Sequence, residues 1–118
     1  MSDYSVQIPY FIEDDVDYFY DYLFEFGEST AERFRMDFKG KVAQIQQFPF
    51  SCAVDTVYPS LIGKQIRKAI IYDGRYLLLY MIRGKNVVVL MVERAERDYI
   101  ATFEANLRLY EDEKQQDG

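Results

Sequence analysis

The stretch that decides the fold runs from Ile66 to Glu93 and reads IRKAIIYDGRYLLLYMIRGKNVVVLMVE. Three short runs rich in Ile, Leu, Val and Tyr lie within it, at residues 66–72, 76–83 and 87–93. Asp73-Gly74 and Gly84-Lys85 separate these runs, and a two-residue turn that contains glycine is a strong signal for a β-hairpin. The stretch therefore predicts three consecutive antiparallel strands. The second and third are apolar almost throughout, so we expect both of their faces to be buried.

Two helices are predicted on the N-terminal side of this meander. Residues 4–8 alternate weakly and are expected to form a first strand, after which Pro9 is well suited to open a helix. Apolar residues then recur at helical spacing, at Ile12, Val16, Phe19, Leu23 and Phe26 and again at Ala31, Phe34, Phe38, Val42 and Ile45. Because only about three residues separate the two patterns, the helices should pack antiparallel as a hairpin.

The ends of these helices carry their own signals. Gly27 suits the left-handed position just past the first helix. Ser29 followed by Glu32 has the spacing of a capping box at the start of the second helix. Pro49 is expected to end that helix, and residues 49–64 are interpreted as a connecting loop.

A last helix is predicted from about Asp98 to Tyr110, covering part of the sheet face opposite the hairpin. The sequence thus predicts one α+β domain over residues 1–110, with an N-terminal strand and an antiparallel helix hairpin packed on a small antiparallel sheet. A polar, frayed tail is expected at residues 111–118.

Composition excludes several classes of site. The 118 residues include no His, which removes the commonest general base and Ser-His-Asp or Cys-His catalysis. The single cysteine, Cys52, can form neither an internal disulfide nor a Cys-cluster metal site. We expect neither a metal nor a cofactor.

The net charge of −6 is unevenly distributed. Residues 1–37 carry ten acids and two bases, whereas residues 38–110 carry eleven bases and six acids. Such a division suggests an anionic target or partner for the second part, although solvated surface charge would look the same. The N-terminus lacks the basic and apolar regions of a signal peptide, and no apolar stretch is long enough to span a bilayer. A cytoplasmic location without membrane contact is therefore predicted.

Two stretches carry a family resemblance. Residues 14–49 read DDVDYFYDYLFEFGESTAERFRMDFKGKVAQIQQFP, with Ala31-Glu32-Arg33-Phe34 early in the second helix and Phe48-Pro49 after it. Residues 63–98 read GKQIRKAIIYDGRYLLLYMIRGKNVVVLMVERAERD, with an Arg in the first strand and a basic RxxRD ending. Together, over residues 5–103, the order of these features resembles the RelE/ParE toxin superfamily and is closer to its ParE-like members.

The resemblance implies the toxin of a type II toxin–antitoxin pair, also described as a plasmid stabilisation protein, which arrests growth until a cognate antitoxin silences it. ParE-like members inhibit DNA gyrase by binding, and RelE-like members cut messenger RNA in the ribosome. A third possibility is a non-toxic binding module that has kept the fold. The target, the activity of the toxin, the antitoxin and the oligomeric state are left open by the sequence.

A cationic cleft is the candidate site. The residues expected to form it, where strand ends meet, are Arg67, Lys68, Arg94, Arg97 and Tyr99. For Arg67 a structural salt bridge to Asp17 or Asp21 is an equal alternative, and Arg94 and Arg97 could be neutralised by Glu93 and Glu96. Arg75, Arg83 and Lys85 are interpreted as solvated turn residues.

The chain departs from the RNA-cutting members of the family at three positions. Leu77 and Ala95 stand where those members carry Arg, and Ala101 stands at their terminal Tyr. No catalytic residue is therefore assigned, and if the protein is an enzyme it would be a metal-independent endoribonuclease. The ParE-like activity is favoured. The Tyr-rich first helix is interpreted as a wide amphipathic face or as a surface for an oligomer or the antitoxin.

Overall fold

A computed structural model describes residues 3–55 and 66–117 of the chain. Its elements in chain order are β1 (Ser5–Gln7), α1 (Tyr10–Phe24), α2 (Glu28–Gln47), β2 (Ile66–Ile71), β3 (Tyr76–Arg83), β4 (Asn86–Arg94) and α3 (Ile100–Asp117). The predicted α+β class and the order of its elements are confirmed. Part of the predicted connecting loop, residues 56–65, lies outside the described residues.

The predicted meander is the centre of the sheet. β2, β3 and β4 pair antiparallel, and the inner strands β3 and β4 are buried over most of their length, as their apolar sequence predicts. β1 joins the outer side of β4 in the parallel direction, so the sheet is mixed, with strand order β1-β4-β3-β2. This parallel pairing is a correction to the small antiparallel sheet expected from the sequence.

A bulge interrupts β4 at its middle. Leu79 pairs with Met91 and Tyr80 with Val89, which leaves Leu90 without an opposite residue on β3. The Leu90 carbonyl accepts a hydrogen bond of 2.9 Å from the side-chain amide of the buried Asn106 on α3. The side chain of Asn106 on α3 therefore supplies a hydrogen-bond donor to the Leu90 carbonyl at the point where the ladder between β3 and β4 is interrupted.

The helix hairpin has the predicted three-residue loop, Glu25 to Gly27, but two details of its ends differ. Gly27 has φ of +127° and ψ of 142°, which is a region for glycine but not the left-handed helical one. α2 already begins at Glu28, so Ser29 lies inside its first turn and no side chain caps the helix. The predicted capping box is wrong, and Glu32 instead accepts a hydrogen bond from the hydroxyl of Tyr20.

The core lies between this hairpin and the sheet. The ring of Tyr76 on β3 lies 5.0 Å from that of Phe19 on α1 and 4.8 Å from that of Phe34 on α2. α3 packs on β4, with Phe103 buried, and continues to Asp117. The predicted helix end at Tyr110 was therefore too early, and helical backbone extends into the segment expected to fray.

Candidate functional site

Arg67 supports the chain segment that follows α2. Its guanidinium donates hydrogen bonds to the carbonyls of Phe50 and Cys52, and it lies 5.1 Å from the centre of the Phe50 ring. Val54 forms a β-bridge with Arg67, and this bridge continues the edge of β2. These contacts make Arg67 a cross-link between the sheet edge and residues 50–54.

Tyr99 and Lys68 contact the same segment. The Tyr99 hydroxyl donates a hydrogen bond of 2.9 Å to a carboxylate oxygen of Asp55, which is 2% exposed. The backbone amide of Lys68 donates to the Ala53 carbonyl at 3.0 Å. Three of the five residues predicted for the cationic cleft therefore meet at residues 50–55.

Arg94 lies elsewhere on the same face of the sheet. Arg67 pairs with Tyr80 and Arg94 with Tyr76, and residues directly opposite each other in antiparallel strands share a face. Tyr76 and Tyr80 are four residues apart, so the two arginines are offset by roughly 13 Å along the strands. The predicted set is thus divided, with Arg67, Lys68 and Tyr99 at one place and Arg94 at another.

Arg94 borders an open groove between the tip of the helix hairpin and the β2–β3 turn. The groove has a volume of about 840 Å³. Its walls carry four aromatic side chains and three charged ones, namely Tyr22, Phe26, Tyr72 and Tyr76 with Arg75, Arg94 and Glu96. We call this the Arg75–Arg94 groove. An apolar wall with a few charged groups is the usual composition of a binding site.

The guanidinium of Arg94 is weakly held. It lies 5.8 Å from the centre of the Tyr22 ring, and it forms an ion pair of 3.9 Å with the exposed Glu96. Within the part of the chain that the structure describes, Nε of Arg94 is buried and has no hydrogen-bond partner. Arg97 is exposed, and its backbone amide donates to the Arg94 carbonyl at 3.2 Å.

The β2–β3 turn places Arg75 and Tyr72 in the groove. Asp73 and Gly74 have φ of 55° and 82°, as in the mirror-image turns of hairpins, and the Arg75 amide closes the turn on the Tyr72 carbonyl at 3.0 Å. Tyr72 also has a positive φ of 53°, although it is buried. Such backbone strain in a bulky residue is often found at functional sites.

Acidic side chains adjoin the groove at its α1 side. Glu93 is 7% exposed and accepts a hydrogen bond from the amide of Arg94. Burial, together with the neighbouring charges of Glu93 and Asp14, raises the pKa of Asp15 above its ordinary value. Asp15 is therefore held as a carboxylate in an unfavourable environment.

The three positions at which the sequence departs from the RNA-cutting members have different surroundings. Leu77 is 6% exposed inside β3 and pairs with Glu93. Ala95 is half-buried, and Ala101 is exposed on α3. Neither the Leu nor the Ala side chains can bind phosphate or transfer a proton, so these three places carry none of the chemistry that RNA cleavage requires.

Sequence reasoning identified Arg94 but interpreted Arg75 as a solvated turn residue. The structure places both on one groove because Arg75 follows the turn at the beginning of β3 and Arg94 ends β4, its antiparallel neighbour. The pairing of Tyr76 with Arg94 is the signal from which the closeness of Arg75 and Arg94 could have been predicted. It depends on the β3–β4 register, which a bulge shifts.

Two further properties concern ligands and membranes. Among residues 3–55 and 66–117, no group of His, Cys, Asp and Glu side chains is arranged to hold a metal ion. In the same ranges, no helix combines the length and the apolarity that crossing a bilayer requires.

Comparison with known proteins gives the family. A family model described as the ParE toxin of the type II toxin–antitoxin system parDE matches residues 12–99. The match begins in α1 and ends just before α3, so it includes the hairpin, the meander and both sides of the Arg75–Arg94 groove. Comparison with curated proteins found no match. The chain belongs to the ParE toxin family of type II toxin–antitoxin systems.

Proposed function

We propose that the protein arrests growth by binding DNA gyrase and does not cleave RNA. The observation that carries the proposal is the position of Leu77, which is buried within β3 where the RNA-cutting members carry an Arg. Such a site would require a basic side chain that reaches the scissile phosphate. With Ala95 and Ala101 at the other two places, these positions offer neither a phosphate clamp nor a proton donor.

The Arg75–Arg94 groove is the surface that we propose contacts the target. Aromatic side chains and arginine are enriched where proteins bind other proteins, and both line this groove. Among the described residues, the guanidinium of Arg94 has only a distant carboxylate at 3.9 Å, so it can pair with a carboxylate of a partner at little cost.

The cognate antitoxin follows from the family. A type II toxin is silenced by a protein partner, and a partner that covered the Arg75–Arg94 groove would block the proposed target contact directly. The proposed location is the cytoplasm, where gyrase and the antitoxin would both be available.

The test measures both activities on the same purified chain. We expect inhibition of gyrase-dependent supercoiling of relaxed plasmid, and intact messages in a translation reaction that contains ribosomes. The double change of Arg75 and Arg94 to Ala should reduce the inhibition by roughly tenfold or more, because hot-spot arginines carry much of an interface.

Arg108→Ala is the matched control, since this arginine is exposed on α3 and outside the groove. It should inhibit gyrase as the unchanged chain does. Cleaved messages with unaffected supercoiling would overturn the proposal in favour of the RelE-like activity. A chain without effect in either reaction, or on growth when its expression is induced, would indicate a non-toxic binding module.

A further inference from the structure

An exposed aromatic ridge runs along one side of α1 and continues into the loop that follows it. Tyr18, Tyr22 and Phe26 follow each other at steps of four residues, and they are 66%, 42% and 66% exposed. The rings of Tyr22 and Phe26 already contact each other edge to face, with centres 5.4 Å apart. Large apolar side chains that share one exposed strip are typical of a protein–protein interface.

A cation stands beside the middle of this ridge, and an acid lies about one helical turn before its first residue. Arg94 lies over Tyr22 and, among the described residues, has only the ion pair of 3.9 Å with Glu96. Asp15 is seven residues before Tyr22, nearly two helical turns, and so projects on the same side of α1. No ion pair of Asp15 occurs within the described part of the chain, and its closest charged neighbours, Glu93 and Asp14, repel it.

We propose that the ridge is a self-association surface, on which α1 packs antiparallel to α1 of a second copy so that Arg94 of each copy faces Asp15 of the other. A two-fold axis beside Tyr18 lies about midway between Asp15 and Tyr22. It therefore brings the Tyr22 end of one helix against the Asp15 end of the second helix. The contact is isologous, so the charge pair forms twice and the tyrosines at position 18 meet at the centre.

Charge complementarity selects a second copy as the occupant. One chain carries both members of the pair, a weakly neutralised arginine and a half-buried carboxylate among other carboxylates, on the same side of one helix. Each copy would supply the counter-charge that the other needs. The second helix would also cover Arg94 and close one wall of the Arg75–Arg94 groove, so the dimer and the target complex that we propose would exclude each other. The self-association does not depend on what the target is.

The test is sedimentation velocity of the purified full chain without its antitoxin. We expect a dimer that dissociates on dilution. Asp15→Arg and Arg94→Asp should each weaken it by roughly tenfold or more, because each places two like charges opposite each other twice. An equimolar mixture of the two variants should return to the dimer, since both contacts in the mixed pair are then between opposite charges.

Recovery of the dimer on mixing would show that the charge changes act at the contact between two copies. Neither misfolding nor a lost ion pair within one chain would be reversed by mixing. Tyr18→Glu, at an exposed position on the axis, is a second disrupting change that leaves the core untouched. Met36→Glu is the matched control, because Met36 is 66% exposed on α2 and away from the ridge. The control should remain dimeric.

Three results would each overturn the proposal. The unchanged chain could remain monomeric up to about 100 µM, a range in which a helix-pair interface should associate. The two charge variants and Tyr18→Glu could remain dimeric, which would place the interface elsewhere. The mixture of the charge variants could also stay monomeric while each variant keeps the circular dichroism spectrum of the unchanged chain, and the ridge would then belong to another partner.

Discussion

Arg67 and Arg94 lie on the same face of one sheet and have opposite surroundings. Arg67 donates to two carbonyls and is joined by a β-bridge to Val54, so it belongs to the anchored side of the molecule. Among the described residues, Arg94 has a tyrosine ring and one ion pair, with the carboxylate of Glu96 at 3.9 Å. The anchored side stabilises the fold, whereas the open side keeps a cation available for a partner.

A residue that matches a family pattern can therefore serve either the stability of the fold or the binding of a partner. Both arginines fit the pattern of the family equally well in the sequence. The contacts of each side chain distinguish them, because a guanidinium that already satisfies two carbonyls would have to leave them unsatisfied before it bound a ligand.

The largest expected effect separates the two arginines by stability. Arg67→Ala should lower the free energy of unfolding by about 2–3 kcal/mol, because the partly buried carbonyl of Cys52 loses a charged donor. Arg94→Ala should change it by about 0.5 kcal/mol or less, since its ion pair is long and exposed. Urea unfolding of the monomeric chain measures both.

In a gyrase assay at a temperature at which Arg67→Ala is folded, we expect Arg94→Ala to lose more inhibition than Arg67→Ala does. If a folded Arg67→Ala chain no longer inhibits and the Arg94→Ala chain is fully active, the roles assigned to the two arginines are wrong. The target would then be contacted through Arg67.

An intermediate effect is expected at Tyr99, which lies on the anchored side. Tyr99→Phe keeps the ring and removes the hydroxyl that donates to the buried Asp55, which should cost about 1–2 kcal/mol of stability. Inhibition by the folded variant should be unchanged. A variant as stable as the parent but without activity would instead make Tyr99 a functional residue.

The smallest effect is expected at Asp15, on the open side. A carboxyl whose pKa is raised on folding is destabilising when charged, so the penalty is present above the folded pKa and absent below the unfolded value of 3.8. Asp15→Asn should therefore melt slightly higher than the parent at neutral pH, and this difference should shrink as the pH falls towards about 4.

Melting temperatures at the two pH values, taken at a concentration at which the chain is monomeric, measure this difference. A difference that grows on acidification would mean that Asp15 is stabilised as a carboxylate, and the open side would then be neutralised within one chain.

Local patterns predicted most of the fold. The apolar runs of the meander, the glycine turns and the stripes of α1 and α2 each depend on residues near one another in the chain, and the structure confirms them. The exception is Phe26, which was expected on the stripe of α1 but lies beyond the end of that helix and is 66% exposed. The ends of elements were less predictable. No side chain caps the start of α2 at Glu28, and Glu111 and Asp112 in the extension of α3 are exposed, so neither end is marked by a capping or core residue.

The candidate site was predicted only in part. Arg94 was identified, but Arg75 was not. The division of the predicted cleft could not be foreseen, since it depends on pairing register and on where residues 50–55 return to the sheet. The β4 bulge at Leu90 shifts that register. The buried side-chain amide of Asn106 on α3 donates a hydrogen bond to the Leu90 carbonyl and so stabilises the bulge.

The amino-acid sequence by itself determined the periodicities, the lack of an imidazole and the replacement of the basic positions at Leu77 and Ala95. Which arginines form hydrogen bonds within the chain, and which leave their charge available, depends on the tertiary structure. Arg67 meets Cys52, Tyr99 meets Asp55 and Arg94 meets Tyr22 only after the helices and strands have packed. The reason is physical, because a side chain's free energy in the folded state depends on the partners that surround it, and these come from distant parts of the chain.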